Sequence, residues 1–110
     1  MDSYKIQIAP HALQQLNQYV DYIQFTLLNS QAADSVYQDA LETIDVLSLS
    51  AGSLEFCKSK KLRDLGFRHI KFQKHDYVMI YDTEGNTARI KAIYHELQDY
   101  ENVFSDYLGI

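Results

Sequence analysis

The spacing of apolar residues divides the chain into a first half that is mainly helical and a second half of β-strands. Tyr4–Ala9 alternates polar and apolar residues, with β-branched Ile6 and Ile8, and predicts a first strand, which Pro10 closes. Two stretches then carry apolar residues every three or four positions, which is typical of amphipathic helices. These positions are Leu13, Leu16, Val20, Ile23 and Leu27 in the first stretch, and Ala33, Val36, Ala40, Ile44 and Leu47 in the second. Asn29 and Ser30 break the pattern and offer an N-cap, so we predict an antiparallel helix hairpin.

The second half of the chain has the shorter period of β-strands. Phe67–Gln73, Tyr77–Asp82 and Ala88–Glu96 each predict a strand, and Glu84–Asn86 predicts a tight turn between the last two. The closing residues predict an extension or a short helix. We therefore predict one α+β domain over residues 1–110. In it, an N-terminal strand and the helix hairpin precede three antiparallel strands, and the helices cover one face of the sheet.

Composition narrows the class of protein. Hydrophobic residues make up 46% of the 110 residues, which is ordinary for a globular domain. No apolar run approaches the roughly 20 residues that span a bilayer, and no secretory signal is visible at the start of the chain. The single Cys57 excludes an internal disulfide and suits a reducing compartment. We expect a cytoplasmic protein that does not interact with membranes.

Charge is distributed unevenly. The net charge is −5, which argues against nonspecific binding to nucleic acid. The segment Cys57–Lys74 nevertheless holds seven of the ten Lys and Arg residues and a single acid, Asp64. The sequence therefore predicts a basic patch on an acidic body.

Alternation along the strands predicts which side chains leave the core. Successive side chains point to opposite faces of a sheet. Val78, Ile80, Ala88, Ile90, Ala92 and Tyr94 are assigned to the face that the helices cover. The open face then carries His69, Lys71, Arg89, Lys91 and His95 with Tyr77 and Tyr81, rimmed by Lys58, Lys60, Lys61 and Arg63. Cations beside aromatic rings suit single-stranded RNA or an acidic peptide, so we predict a binding surface there.

The chain resembles the RelE/ParE superfamily of type II toxin–antitoxin toxins from about Tyr4 to Phe104. The similar stretches are YKIQIAPHALQQL, YVDYI, NSQAADSVYQDALETIDVLS, KLRDLGFRHIKF, HDYVMIYD and IKAIYHELQDYENVF. The final DYENVF, and the pairing of GFR with YVMIY, are more similar to the ParE or plasmid-stabilisation branch than to RelE. The resemblance implies the fold predicted above and a small cytoplasmic toxin that a cognate antitoxin holds inactive.

The superfamily implies two activities, both of which stall growth. RelE-type members cut messenger RNA on the ribosome with basic residues and without a metal, whereas ParE-type members inhibit DNA gyrase. Lys61 and Arg63 match the basic KLR segment of the family. Gln73 stands where RelE has arginine, and His95–Leu97 stands where relatives have Gly-Lys-Arg or Gly-Arg-Arg. These departures favour a ParE-like toxin. A ribosome-dependent endoribonuclease and a non-toxic relic that only binds antitoxin are the alternatives.

An endoribonuclease would need a different acid–base set. His95 lies where certain other ribonucleases of the superfamily have a catalytic histidine, and alternation puts His69 on the same face. This pair could act as base and acid, or Glu96 could be the base. The cations that would stabilise the phosphate are Arg68, Arg89 or Lys91. No cofactor is implied, and no metal site is expected because no pair of residues has ligand spacing.

The basic segment also predicts the chemistry of the antitoxin. We expect a small protein with an acidic, amphipathic segment that covers Lys58–Lys74 or the adjoining sheet face, where Tyr77, Tyr81 and Ile93 supply apolar surface. Both predicted helices carry acids, so contact with DNA is expected only through the antitoxin.

Overall fold

The computed structural model describes residues 3–110, so the first two residues of the predicted domain lie outside the described part. The strands are β1 (Lys5–Ile8), β2 (Arg68–Lys71), β3 (Tyr77–Glu84) and β4 (Thr87–His95). The α-helices are α1 (Pro10–Asp21), α2 (Ser30–Ser50), α3 (Lys60–Asp64) and α4 (Tyr100–Leu108), and a π-helical turn, Tyr22–Thr26, extends α1. Within residues 3–110, no helix combines the length and the apolar character that crossing a bilayer requires. The strands and the two hairpin helices follow the α+β order that the sequence predicts. The short helix α3 was not predicted, and α4 is the short helix allowed for at the end of the chain.

The four strands form one mixed sheet in the order β1-β4-β3-β2. β3 pairs antiparallel with both β2 and β4, as predicted, and the β3–β4 connection is the predicted tight turn. β1 lies parallel to β4 at the edge, with Ile6 beside Ala88 and Ile8 beside Ile90. The N-terminal strand therefore completes the sheet that the C-terminal half builds.

The helix hairpin turns sharply between the π-helical turn and α2. Leu28 adopts a positive φ of 55°, a conformation that favours glycine. The Asn29 side chain accepts the backbone N–H of Ala32 at 3.0 Å and caps α2, as the sequence predicts. After this turn, α2 runs back antiparallel to α1 across the sheet.

Helices cover both faces of the sheet. The hairpin covers one face, where Leu16, Val36, Ala40 and Leu47 pack with Ile70, Met79, Tyr81, Ile90 and Ile93. On the other face, Leu62 of α3 and Phe104 of α4 pack with Cys57, Phe67, Val78, Ile80, Ala92 and Tyr94. The rings of Phe67 and Phe104 meet edge to face at 5.0 Å. The predicted open face is wrong, because α3 and α4 cover it.

A β-bulge explains why alternation misled the assignment of faces. Ile80 pairs with Ala92 whereas Tyr81 pairs with Ile90, so Lys91 is an extra residue in β4. One extra residue exchanges the two faces for everything that follows. Ala92 therefore faces α3 and α4, although Ile90 faces the hairpin.

The assignment of β3 is also reversed. Val78 and Ile80 face α3 and α4, while Tyr81 is fully buried beneath the hairpin and its hydroxyl donates to the backbone oxygen of Ala51 at 2.8 Å. Burial raises the pKa of the Tyr81 hydroxyl to about 12. Both faces of β3 are apolar because both are buried, so its alternation carries no information on which face meets the hairpin.

Candidate functional site

A cleft of about 400 Å³ lies where the hairpin turn approaches the ends of β3 and β4. The hairpin contributes mainly apolar side chains to it, and the sheet side contributes charged and aromatic ones. Its lining consists of Ile23, Leu27, Asn29, Ala32, Val36, Lys74, His75, Asp76, Tyr77 and His95. A cleft with an apolar wall and a few convergent polar groups is the usual form of a binding site.

Asp39 anchors the turn between β2 and β3 that forms one wall of this cleft. Its side chain is 1% exposed on α2. The carboxylate accepts the backbone N–H groups of Gln73 at 3.0 Å and Lys74 at 2.9 Å, and contacts His75 Nδ1 at 2.7 Å. Burial alone would raise the pKa of this carboxyl, but these hydrogen bonds outweigh burial and lower it. A single acidic side chain thus fixes the turn to α2.

His95 and Tyr77, both predicted site residues, do line the cleft. They lie opposite each other in β4 and β3, and their rings meet edge to face with centroids 5.2 Å apart. His95 Nδ1 accepts the backbone N–H of Leu97 at 3.1 Å, so the neutral imidazole carries its proton on Nε2. The ring of Tyr77 also packs near Tyr19 and Phe72, and burial raises the pKa of its hydroxyl. Both side chains are held rigidly.

His69 lies on the opposite face of the sheet from His95. It pairs with Ile80 in β3, and the two share the face that α3 and α4 cover. His95 pairs with Tyr77, which packs on the hairpin side. The prediction that the two histidines share one face is therefore wrong, and they cannot act together on one phosphate. A catalytic role for either one stays a prediction.

The other proposed catalytic groups have structural partners. Glu96 Oε1 lies 2.5 Å from Lys71 Nζ, and the hydrogen bond that Lys71 donates to this carboxylate raises the pKa of Lys71. Arg68 stacks its guanidinium 3.8 Å from the centre of the Phe56 ring and donates to the backbone oxygen of Leu54. Neither Glu96 nor Arg68 faces the cleft with His95.

Much of the predicted basic surface is neutralised. Arg89 binds both carboxylate oxygens of Asp82 at 2.8 Å and reaches Glu84 at 2.8 Å, and the hydrogen bonds to Asp82 raise the pKa of Arg89. The bulge residue Lys91 lies beside Arg89 in a groove along the end of β1. Lys60 pairs with Asp64 at 2.6 Å. Carboxylates therefore neutralise Arg89 and Lys60, whereas Lys91 lies beside the paired Arg89.

Three cations near α3 are both exposed and unpaired within the described residues. Lys58, Lys61 and Arg63 are exposed, and within residues 3–110 none of them forms an ion pair. Arg63 instead donates to the backbone oxygen of Lys58 at 3.2 Å, which holds the two residues together. We call these three residues the basic rim. The predicted basic patch is reduced to this rim.

The hairpin turn exposes large apolar side chains that the sequence assigned to the core or left aside. Phe25 is 68% exposed and Leu28 is 83% exposed, and Tyr22 and Leu27 are more than half exposed. We call these four residues the hairpin tip. Leu27 joins the tip to the cleft, since it also lines the cleft wall. Clustered apolar residues of this kind mark interaction surfaces.

Comparison with known proteins identifies the fold. No protein-family model matches the chain, and no curated protein is similar to it in sequence. A chain in a solved structure described as "Chromosomal ParDE TA system from P. aeruginosa" is similar, with a TM-score of 0.70 and 17% sequence identity. The similarity covers 84% of the present chain and 96% of that chain. The RelE/ParE-like α+β fold, which the resemblance in the sequence implied, is confirmed.

Proposed function

We propose that this protein is the toxin of a type II toxin–antitoxin system and arrests growth when it is free of its antitoxin. The fold shared with a chain of a ParDE toxin–antitoxin system supports this proposal, because the similarity extends over 84% of the chain. We propose further that it acts in the cytoplasm as ParE-type toxins do, by binding a protein target such as DNA gyrase, and that the cleft and the hairpin tip supply the contacts.

The arrangement of polar groups favours binding over catalysis. Cleaving RNA requires a base, an acid and a cation around one phosphate. His69 and His95 lie on opposite faces, and Glu96 is held by Lys71. A ribosome-dependent, metal-independent endoribonuclease is the second candidate, supported by one observation. His95 shares the cleft with Lys74 and His75, which could together contact a phosphate.

Two assays on the purified protein distinguish these candidates. We expect inhibition of supercoiling by DNA gyrase and no cleavage of messenger RNA on ribosomes. His95→Gln should weaken this inhibition at most in part, because His95 is one of several residues lining the cleft and the proposal gives it no proton to transfer. Cleavage of messenger RNA that His95→Gln abolishes would replace the first candidate with the second. A folded protein inactive in both assays would point to a relic that only binds antitoxin.

The antitoxin of this proposal is a small protein with an acidic, amphipathic segment. Of the apolar anchors expected on the sheet, Tyr81 and Ile93 are buried, and only the half-buried Tyr77 reaches a surface, in the cleft. The hairpin tip offers the exposed apolar surface instead, and the basic rim offers the unpaired positive charge. We therefore assign the apolar anchors of the antitoxin to the tip and its carboxylates to the rim. Contact with DNA is assigned to the antitoxin alone, because both hairpin helices carry acids.

A further inference from the structure

Three potential metal ligands meet on the face that α3 and α4 cover. Cys57, His69 and Glu101 each offer one ligand atom, and these atoms all lie within 4.8 Å of one another. They come from the segment before α3, from β2 and from the first turn of α4. Their separation along the chain explains why no ligand spacing is visible in the sequence.

The imidazole of His69 has an unexplained feature. Its Nδ1 atom is buried and makes no hydrogen bond, and it is the one buried side-chain N or O atom in residues 3–110 without a partner. Such atoms are rare in folded proteins, and a bound ion is one of the accepted explanations. His69 is one of the three clustered residues, so a metal ion bound through this nitrogen would give it the partner that it lacks.

Two backbone hydrogen bonds hold the carboxylate of Glu101 in a fixed orientation, as is usual for a side chain that binds a metal ion. Its Oε1 accepts the backbone N–H of Ser59 at 2.6 Å, and its Oε2 accepts that of Lys58 at 3.0 Å. An ionised carboxylate has about four lone-pair positions, so each oxygen keeps one free. Hydrogen bonds of this kind hold metal ligands in place and increase metal affinity.

Cys57 supplies the third ligand and is unsuited to other chemistry. It is 1% exposed, which keeps the thiol from attacking substrates in solution. Burial, followed by the nearby charge of Glu101, raises the pKa of the thiol to about 12. A bound metal ion would displace that proton, since thiols coordinate as thiolates.

We propose that Cys57, His69 and Glu101 form a zinc site whose fourth position is taken by water. One thiolate and one carboxylate balance the two positive charges of Zn²⁺, which makes the complex neutral where it is buried. Sulfur, imidazole nitrogen and carboxylate oxygen are the ligands that zinc takes. Ligand atoms lie about 2.0–2.3 Å from zinc, so the widest pair must approach by about 1 Å, which side-chain rotation can supply.

The site would tie α4 to the sheet. Because its ligands come from three elements, zinc would join the first turn of α4 to β2 and to the segment that precedes α3. It lies on the opposite face from the cleft, so it is independent of the proposed target contacts. Zinc bound there would hold α4 against the core residues of that face.

The test uses the full-length protein, freed of metal with a chelator and titrated with Zn²⁺ by calorimetry and with Co²⁺ by absorption spectroscopy. We expect one equivalent of Zn²⁺ to bind with release of a proton and to raise the melting temperature. Co²⁺ should give the near-ultraviolet band of a thiolate ligand. Cys57→Ser should abolish that band, and His69→Gln and Glu101→Gln should each weaken Zn²⁺ binding by about tenfold or more.

His11→Gln is the matched control. His11 stacks on Tyr107 of α4 at 3.9 Å but lies outside the cluster, so this variant should bind Zn²⁺ like the wild type. The wild-type Co²⁺ spectrum keeps the test decisive even where a ligand variant fails to fold. Absence of Zn²⁺ binding, or a Co²⁺ complex without the thiolate band, would overturn the proposal. So would an unchanged Zn²⁺ affinity in folded His69→Gln and Glu101→Gln.

Discussion

Replacing Asp39 with alanine is expected to destabilise the protein by about 3 kcal/mol. The change removes the acceptor of two backbone N–H groups, those of Gln73 and Lys74, and of His75 Nδ1. Hydrogen bonds to a charged acceptor contribute about 1.5–3 kcal/mol each. Gln73 and Lys74 are exposed, so water can partly replace the lost acceptor. Alanine also favours the helix by about 0.5 kcal/mol. Both effects bring the loss of stability to the lower end of the summed hydrogen-bond contributions. Total stabilities of about 5–15 kcal/mol make this a large loss.

Urea denaturation followed by circular dichroism measures the loss. Asp34→Ala is the matched control, because Asp34 is an exposed aspartate on the same helix and its replacement should change stability by less than about 0.5 kcal/mol. If the free energy of unfolding depends on urea concentration with the same slope in both proteins, the native and denatured states have kept their compactness. Equal stability of the two variants would refute the role given to Asp39.

The pH dependence provides a second check on Asp39. Its folded pKa is lowered, so its contribution is complete above the unfolded pKa of about 3.9 and is lost as the pH falls through the folded pKa. The difference in stability between wild type and Asp39→Ala should therefore narrow as the pH falls below about 4. A difference that stays constant throughout the acid range would contradict this reasoning.

Four further changes test the hairpin, the core and the partner surfaces. Leu28→Gly should stabilise the protein by about 1 kcal/mol in the same urea assay, because Leu28 has a positive φ and its side chain is exposed. Tyr81→Phe should cost about 1 kcal/mol, because the backbone oxygen of Ala51 loses its hydroxyl donor. Reversing the three charges of the basic rim should slow association with the antitoxin and weaken its salt dependence in stopped-flow measurements, whereas Phe25→Ser should mainly speed dissociation. A destabilised Leu28→Gly, a neutral Tyr81→Phe, or charge reversal without effect on association would each contradict the corresponding argument.

Hydrophobic periodicity was sufficient to predict the four strands and the two hairpin helices, because each buries an apolar face, but it gave no sign of α3. It failed at Lys91, where one inserted residue exchanges the two faces of β4. Alternation could not reveal this, since residues on both faces of the sheet are apolar and buried. The coverage of the second face by α4 was missed for a related reason. A nine-residue helix around Phe104 was too short for its pattern to distinguish it from an extension.

The candidate site was predicted only in part. Tyr77 and His95 line the cleft, as expected of site residues. Asp39 was not predicted as a site residue, yet it is buried and fixes the cleft wall through the backbone of a turn more than thirty residues away. Backbone hydrogen bonds over that separation leave no local pattern. The one available signal was the position of Asp39 beside Ala40 and Val36 on the apolar stripe.

The central claim, that this fold serves as a growth-arresting toxin, is tested most directly by inducing the protein in growing bacteria and following cell density. We predict arrest when the chain is expressed alone, and relief of the arrest when the product of the neighbouring gene is expressed with it. Unchanged growth while soluble, folded protein accumulates in the cells would contradict the claim.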